Sequence, residues 1–247
     1  NVVFYPGQMM PLFVGRPSSV RLIEEAYKNQ TSVLVLTQRD SSVDVPGLKD
    51  LYEIGTVVRV AKIYTMPDGS KSIVVQGIYR AKAEGLVGED PFLTTTALRL
   101  PEDPAPGPGD VEISAMINNI RQLLKQLSDL VADFNPEQLN LIMNTDQTTY
   151  FSFLVAALIN MPIDEKQDVL ECADLKERLR KVTVAIARNI QKQELSKKIQ
   201  DDVQETINKA QKDFFLREQM RAIKKELGED NDSLELDEMK QKIEDAG

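Results

Sequence analysis

The spacing of apolar positions changes about a hundred residues into the chain. Before that point, β-branched runs at 32–38, 56–64, 72–76 and 92–100 are bounded by Gly, Pro and Asp, the pattern of short strands. Met66-Pro67-Asp68-Gly69-Ser70 separates two of these runs, and Asp-Gly supplies the positive φ angles of a tight turn, so a hairpin is predicted there. Gly77 interrupts the returning strand and predicts a bulge. One helix breaks the strand pattern: Pro17 suits a first helical position, and Val20, Ile23, Glu24 and Tyr27 step at helical spacing to Lys28.

Residues 101–110 hold four prolines and two glycines, propagate neither helix nor sheet, and predict a domain boundary. Everything after them reads as helix. From Val111 to Val131 a heptad-like face is formed by Ile113, Ile117, Ile120, Leu124, Leu127 and Val131. Asn135-Pro136-Glu137-Gln138 has the form of an N-cap, a first-turn Pro and a capping-box partner; Asp164 with Gln167 and Asp174 with Glu177 predict two further caps. Thr148 to Asn160 supplies another apolar helix, and together these segments predict a helical bundle.

From Leu175 to Leu227 there is neither Pro nor Gly, so about 53 residues can run as one helix, roughly 80 Å at ~1.5 Å per residue. Ile199, Val203, Ile207, Ala210 and Phe214, then Leu216, Met220, Ile223 and Leu227, form a coiled-coil-like stripe with one stutter. Such a stripe calls for a partner helix, for which a second copy of the chain is the candidate. Gly228 is the expected C-cap, followed by an acidic turn and a short final helix with Asp232 and Glu235 as its capping box. The predicted fold class is α+β, divided into a β domain at 1–100, a linker at 101–110, a helical subdomain at 111–174, a long helix at 175–228 and an acidic turn with a short helix at 229–247.

Composition narrows the chemistry. The 247 residues are 42% hydrophobic and 28% charged, an ordinary soluble make-up, but they include no His and one Cys. Nucleophile-His arrangements, His metal sites and four-thiolate zinc sites are therefore excluded. Cys172 has no disulfide partner within the chain and reads as a small apolar side chain on a helix in a reducing, cytoplasmic compartment. No signal peptide is visible, and the longest apolar run, at 153–159, is far short of the ~20 residues a bilayer requires. The chain opens at Asn1 directly on strand-like residues, as a piece of a longer protein would. Net charge is -9, which argues against a general nucleic-acid binder. Residues 181–225 run against that average, with about 11 basic and 6 acidic groups, but the signs alternate as on a solvated helix face.

No motif for catalysis emerges. No Gly is followed by Lys, which excludes a P-loop, and in Gly107-Pro108-Gly109 the proline has no N–H to offer a phosphate. Glu24-Glu25, Glu89-Asp90 and Asp201-Asp202 are sequence neighbours whose carboxylates diverge. Ser70-Lys71 and Ser196-Lys197 lie where nothing desolvates the amine. No catalytic, cofactor-binding or metal residue is assigned. Residues 4–13 are rich in adaptable apolar side chains yet broken by two prolines and a glycine, so some of them fill the β core and others offer contacts to a partner.

Four stretches carry a resemblance: VVFYPGQMMPLFVGR at 2–16, IGTVVRVAKIYTMPDGSKSIVVQGIYRAK at 54–82, MPIDEKQDVLECADLKERL at 161–179 and QKDFFLREQMRAIKKELGE at 211–229. In these the chain resembles the N-terminal region of the bacterial Lon proteases, the ATP-dependent serine proteases of the AAA+ class. The resemblance implies a PUA-like β domain, a helical subdomain and a helical arm leading to an ATPase module. It implies that this region captures unfolded or tagged protein substrates and supports a hexamer, while ATP, Mg and the Ser-Lys dyad belong to the parent protein beyond Gly247. As adaptable apolar groups in a Pro-broken stretch, Met9, Met10, Leu12 and Phe13 are expected to contact unfolded polypeptide, and Phe214, Met220, Ile223 and Leu227, from the heptad-like stripe, to pack the long helix against a neighbour or a substrate. An adaptor that recruits one folded partner is the alternative, and a module that binds DNA through the basic helix is the more distant one; no membrane partner is expected.

Overall fold

The computed structural model of the chain describes residues 2–67, 70–102, 110–131, 134–145, 148–227, 239, 241 and 243. Five strands and one helix come first: β1 (Met9–Val14), α1 (Pro17–Asn29), β2 (Val33–Val35), β3 (Ile54–Thr65), β4 (Lys71–Gly88) and β5 (Thr94–Arg99). Helices α2 (Val111–Leu130), α3 (Pro136–Met143), α4 (Thr148–Leu158), α5 (Ile163–Glu171) and α6 (Leu175–Glu226) follow. The α+β class is that architecture. The described residues fall into two compact units, Asn1–Gln191 and Lys192–Gly247.

In the first unit the strands form one antiparallel sheet in the order β1-β4-β3-β2, with β5 also paired to β4. The predicted hairpin is β3–β4, closed where Met66 N–H donates to Ser70 O at 2.9 Å; Asp68 and Gly69 lie outside the described residues. The expected bulge falls next to Gly77, between the pairs Val57↔Tyr79 and Val58↔Gly77. β4 does not stop at Gln76 but runs on to Gly88, 18 residues in all. Gly77 permits this because it lies against the N-terminal segment, where a Cβ would sit 2.2 Å from Tyr5 O.

Two apolar clusters fill this unit. α1 covers the inner face of the sheet with Ile23 and Ala26, against Phe4, Val33, Val58, Val60, Ile73 and Val75. The second cluster is helical, and the predicted face of α2 (Ile113, Ile117, Ile120, Leu124, Leu127) is buried in it with Phe151, Phe153, Leu170, Leu179 and Ile186. The N-terminal segment joins the two clusters by alternation: Phe4 enters the sheet core, while Val3 and Tyr5 enter the helical one. Its carbonyls are satisfied by hydroxyls, Thr37 donating to Val2 O (3.2 Å) and Thr56 to Phe4 O (2.5 Å). Tyr5 stacks on Phe153 at 5.6 Å and donates its hydroxyl to Lys166 O at 2.9 Å.

Caps follow local chemistry in two of the three places expected. Asn135 accepts from Glu137 and Gln138 N–H, and Asp174 accepts from Glu177 N–H. Asp164 does not cap α5: Pro162 holds the cap position, its carbonyl accepting from Lys166 N–H, and Asp164 lies inside the first turn. Pro162 takes the cap because a proline there loses no bond the helix needs. Gln167, expected as the partner of that cap, instead donates from the buried interior to Ile54 O (2.8 Å) and Glu171 Oε1 (2.9 Å). Cys172 is the C-cap residue of α5 rather than part of a helix. The expected linker glycines at 107 and 109, Gly228 and the pair Asp232/Glu235 lie outside the described residues.

In the second unit, residues 194–227 are all exposed, including Leu195, Ile199, Val203, Ile207, Phe214, Phe215, Leu216, Met220 and Ile223 on α6 and Leu227 just after it. The apolar stripe read from the sequence is thus present, with none of its side chains buried.

Candidate functional site

Residues 9–14, which the sequence left between core and contact, form an edge strand. The two prolines and the glycine obscure it: Gly7 takes φ 78° in the turn that delivers the chain to β4, and Pro11 lies within the strand, a position tolerated at an edge. Strand alternation then separates the four predicted contact residues. Met10 and Leu12 pack inward with Val14 on the sheet core, whereas Met9 and Phe13 are 60% and 67% exposed on the outer face. The inward pair, half-buried, carries packing, and the outward pair is free to touch a partner.

The register extends this outer face across the sheet. Met9 pairs with Gln76 and Gln76 with Arg59; Pro11 pairs with Val74 and Val74 with Lys62; Phe13 pairs with Ser72 and Ser72 with Tyr64. Directly opposed residues share a face, so these nine form three rows. Arg59, Lys62 and Tyr64 are exposed, Tyr64 at 51%. The sequence reading missed the β3 half of the surface, although outward residues at 59, 62 and 64 were a signal. A one-residue insertion at Ala61 disguised their alternation.

Elsewhere the titratable groups serve structure. Arg80 (1% exposed) and Arg178 (0%) enclose the ring of Phe153 and flank the Glu102 carboxylate, Arg80 Nε lying 2.7 Å from Oε1. Burial pushes the Tyr5 hydroxyl and the Cys172 thiol up and the Lys166 ammonium down from their ordinary values. Arg188 donates to both Glu165 oxygens, which holds that carboxyl below its usual range. A depression of about 370 Å³ is lined by Arg39, Asp40, Ser41, Tyr52, Ile163 and Asp164; there Arg39 is bonded to Leu51 O and stacked on Tyr52, and the Asp40 carboxylate accepts from the Ser42 hydroxyl at 2.7 Å. Among the described residues no group of three or more acidic or Cys side chains could hold a metal ion, and no helix is long and apolar enough to cross a membrane.

The phenolic, aromatic and thioether groups of the outer face suit adhesion rather than bond-making. Comparison with known proteins agrees with a binding role. Residues 1–188 match the sequence profile of the ATP-dependent protease La (LON) substrate-binding domain. The chain is 36% identical over 92% of its length to a Lon protease of Anaeromyxobacter dehalogenans, and 35% identical over its whole length to one of Dictyoglomus thermophilum. It spans 27% and 31% of the lengths of those two relatives. Among solved structures, the N-terminal domain of a Mycobacterium avium complex Lon protease shares the fold, with a TM-score of 0.60 at 18% identity over 76% of this chain and 94% of that one.

Proposed function

Because the chain belongs to the family of ATP-dependent protease La (LON) substrate-binding domains, we propose that it captures unfolded or tagged polypeptide for a cytoplasmic, hexameric serine protease, and that capture occurs on the outer face of the sheet. In this reading ATP hydrolysis, with its Mg, and peptide-bond cleavage belong to other parts of the parent protein. The observation that supports the location is the exposure of Met9 and Phe13 on a sheet face whose opposite side packs on α1 and Phe4. Large apolar side chains held in water by a rigid strand gain free energy on being covered, about 1.5–3 kcal/mol each when buried completely. A sheet edge also holds them in place without the ordering cost of a loop.

Met9→Asp combined with Phe13→Asp is expected to weaken binding of a denatured, labelled client at least about tenfold, equivalent to 1.4 kcal/mol, in fluorescence anisotropy. The circular dichroism spectrum should stay unchanged, because neither side chain supports the core. Leu12→Asp, one position away and facing inward, should instead disturb the fold. Unchanged client binding by the double variant would contradict the location.

A second reading concerns the second unit. Its exposed stripe supports self-association through Phe214, Met220, Ile223 and Leu227. Met220→Glu is expected to shift the sedimentation profile toward the monomer; an unaltered distribution would count against assembly through this stripe.

A further inference from the structure

We infer that the outer sheet face selects extended polypeptides that carry aromatic or aliphatic side chains together with Asp or Glu on one side, a preference that rests on the capture reading above. The three rows that present Met9, Phe13 and Tyr64 also present two cations, Arg59 and Lys62, and no acidic side chain. Neither cation lies within ion-pair distance of a described carboxylate, whereas Lys71, which pairs with inward-facing Val14, is neutralised by Glu24 at 2.9 Å.

Lys62 reaches this face through a departure from regular pairing. Val60 opposes Val75 and Lys62 opposes Val74, so Ala61 is an extra residue on β3. Were Ala61 paired in regular alternation instead, Lys62 would turn toward the core, and the bulge is what reverses it. The sheet is thus shaped so that both Arg59 and Lys62 face outward beside the aromatic rings.

The occupant follows from complementarity. Met9, Pro11 and Phe13 repeat every two residues, about 6.8 Å along the strand, which is the spacing of same-side groups on an extended peptide. Carboxylates on that same side of the peptide, in place of some of its apolar groups, would lie against the cations. The chain as a whole has a net charge of -9, so its overall field favours basic peptides; a preference for acidic ones would report the local surface.

The test uses the full 247-residue chain and fluorescein-labelled 16-residue peptides, identical in their Phe and Leu positions and carrying Asp/Glu, Lys or Ser/Gln at the others, with a 16-nucleotide single-stranded DNA as a fourth probe. Anisotropy at 50 mM NaCl is expected to show the acidic peptide bound about tenfold tighter than the basic one, narrowing to about threefold or less at 500 mM as the exposed charges are screened. Arg59→Glu with Lys62→Glu is expected to reverse the order. Equal binding of the acidic and basic peptides, or DNA bound more tightly than the acidic peptide, would overturn the inference. The Ser/Gln peptide separates the two levels. If Met9→Asp/Phe13→Asp weakens its binding while charge makes no difference, only the selectivity falls; if that variant binds it as wild type does, or no peptide binds, the capture reading falls too.

Discussion

Arg80→Met is expected to lower the stability of the first unit by about 3–5 kcal/mol, the range found when one partner of a buried ion pair is removed. Arg80 is 1% exposed on β4 and spends its guanidinium on four acceptors: Glu102 Oε1 (2.7 Å), Leu170 O (3.0 Å), Cys172 O (2.9 Å) and Pro101 O (2.9 Å). These lie just after β5 and at the end of α5, so a single side chain ties the sheet to both. Methionine approximates its volume but satisfies none of the acceptors. Arg178 is committed elsewhere, its Nη1 to Cys172 O and Ala173 O, while its Nη2 stands 3.8 Å from Glu102 Oε2. The urea midpoint should fall in proportion, with little change in slope. Lys82→Met, which breaks a pair with Glu53 in which both side chains are well exposed, should cost about 1 kcal/mol or less. Similar losses for the two variants would contradict this account of the cluster.

Gly77→Val is the other large effect, expected to cost about 3 kcal/mol or more, at the upper end of what overpacking produces. Its Cβ would lie 2.2 Å from Tyr5 O and 3.0 Å from Phe4 Cε1, and the first of these is backbone that cannot rotate away. Moving it breaks the reciprocal bonds between Gly7 N–H and Gly77 O (3.1 Å) and between Gly77 N–H and Gln8 O (2.9 Å). It also disturbs Tyr5, whose ring and hydroxyl are both engaged in the helical cluster. Because residues 5–8 lead directly into β1, client binding should fall together with stability. Gly88→Ala, where an added Cβ meets nothing within 4 Å, should be within about 0.5 kcal/mol of wild type in thermal or chemical unfolding. A tolerant Gly77 would mean that the N-terminal segment is not fixed by this approach.

The features legible in the sequence were those determined within a few neighbouring residues. The apolar face of α2, the caps at Asn135 and Asp174 and the β3–β4 hairpin each arise from a short window with one dominant period or cap chemistry. β1 escaped because its inward and outward positions are both apolar, Met10 and Leu12 against Met9 and Phe13, so no alternation marks it as a strand. Asp164 misled because an acidic residue suits both a cap and a first turn, and Pro162 settles which. The Arg80–Glu102–Arg178 cluster brings together β4, the segment after β5 and α6, and Arg59 joins the Met9 row only through the register of β1, β4 and β3. Long-range pairing of that kind leaves no local pattern to read. For the same reason the sequence singled out candidate contact residues on β1 but not the sheet face to which they belong.

Amide hydrogen exchange of the full chain, with and without a saturating denatured client, tests the central claim most directly. The account predicts added protection concentrated in β1 (Met9–Val14) and in the hairpin segments 59–64 and 72–76. Protection absent from these segments, and found instead around the depression at Arg39 and Tyr52 or along β5, would contradict it.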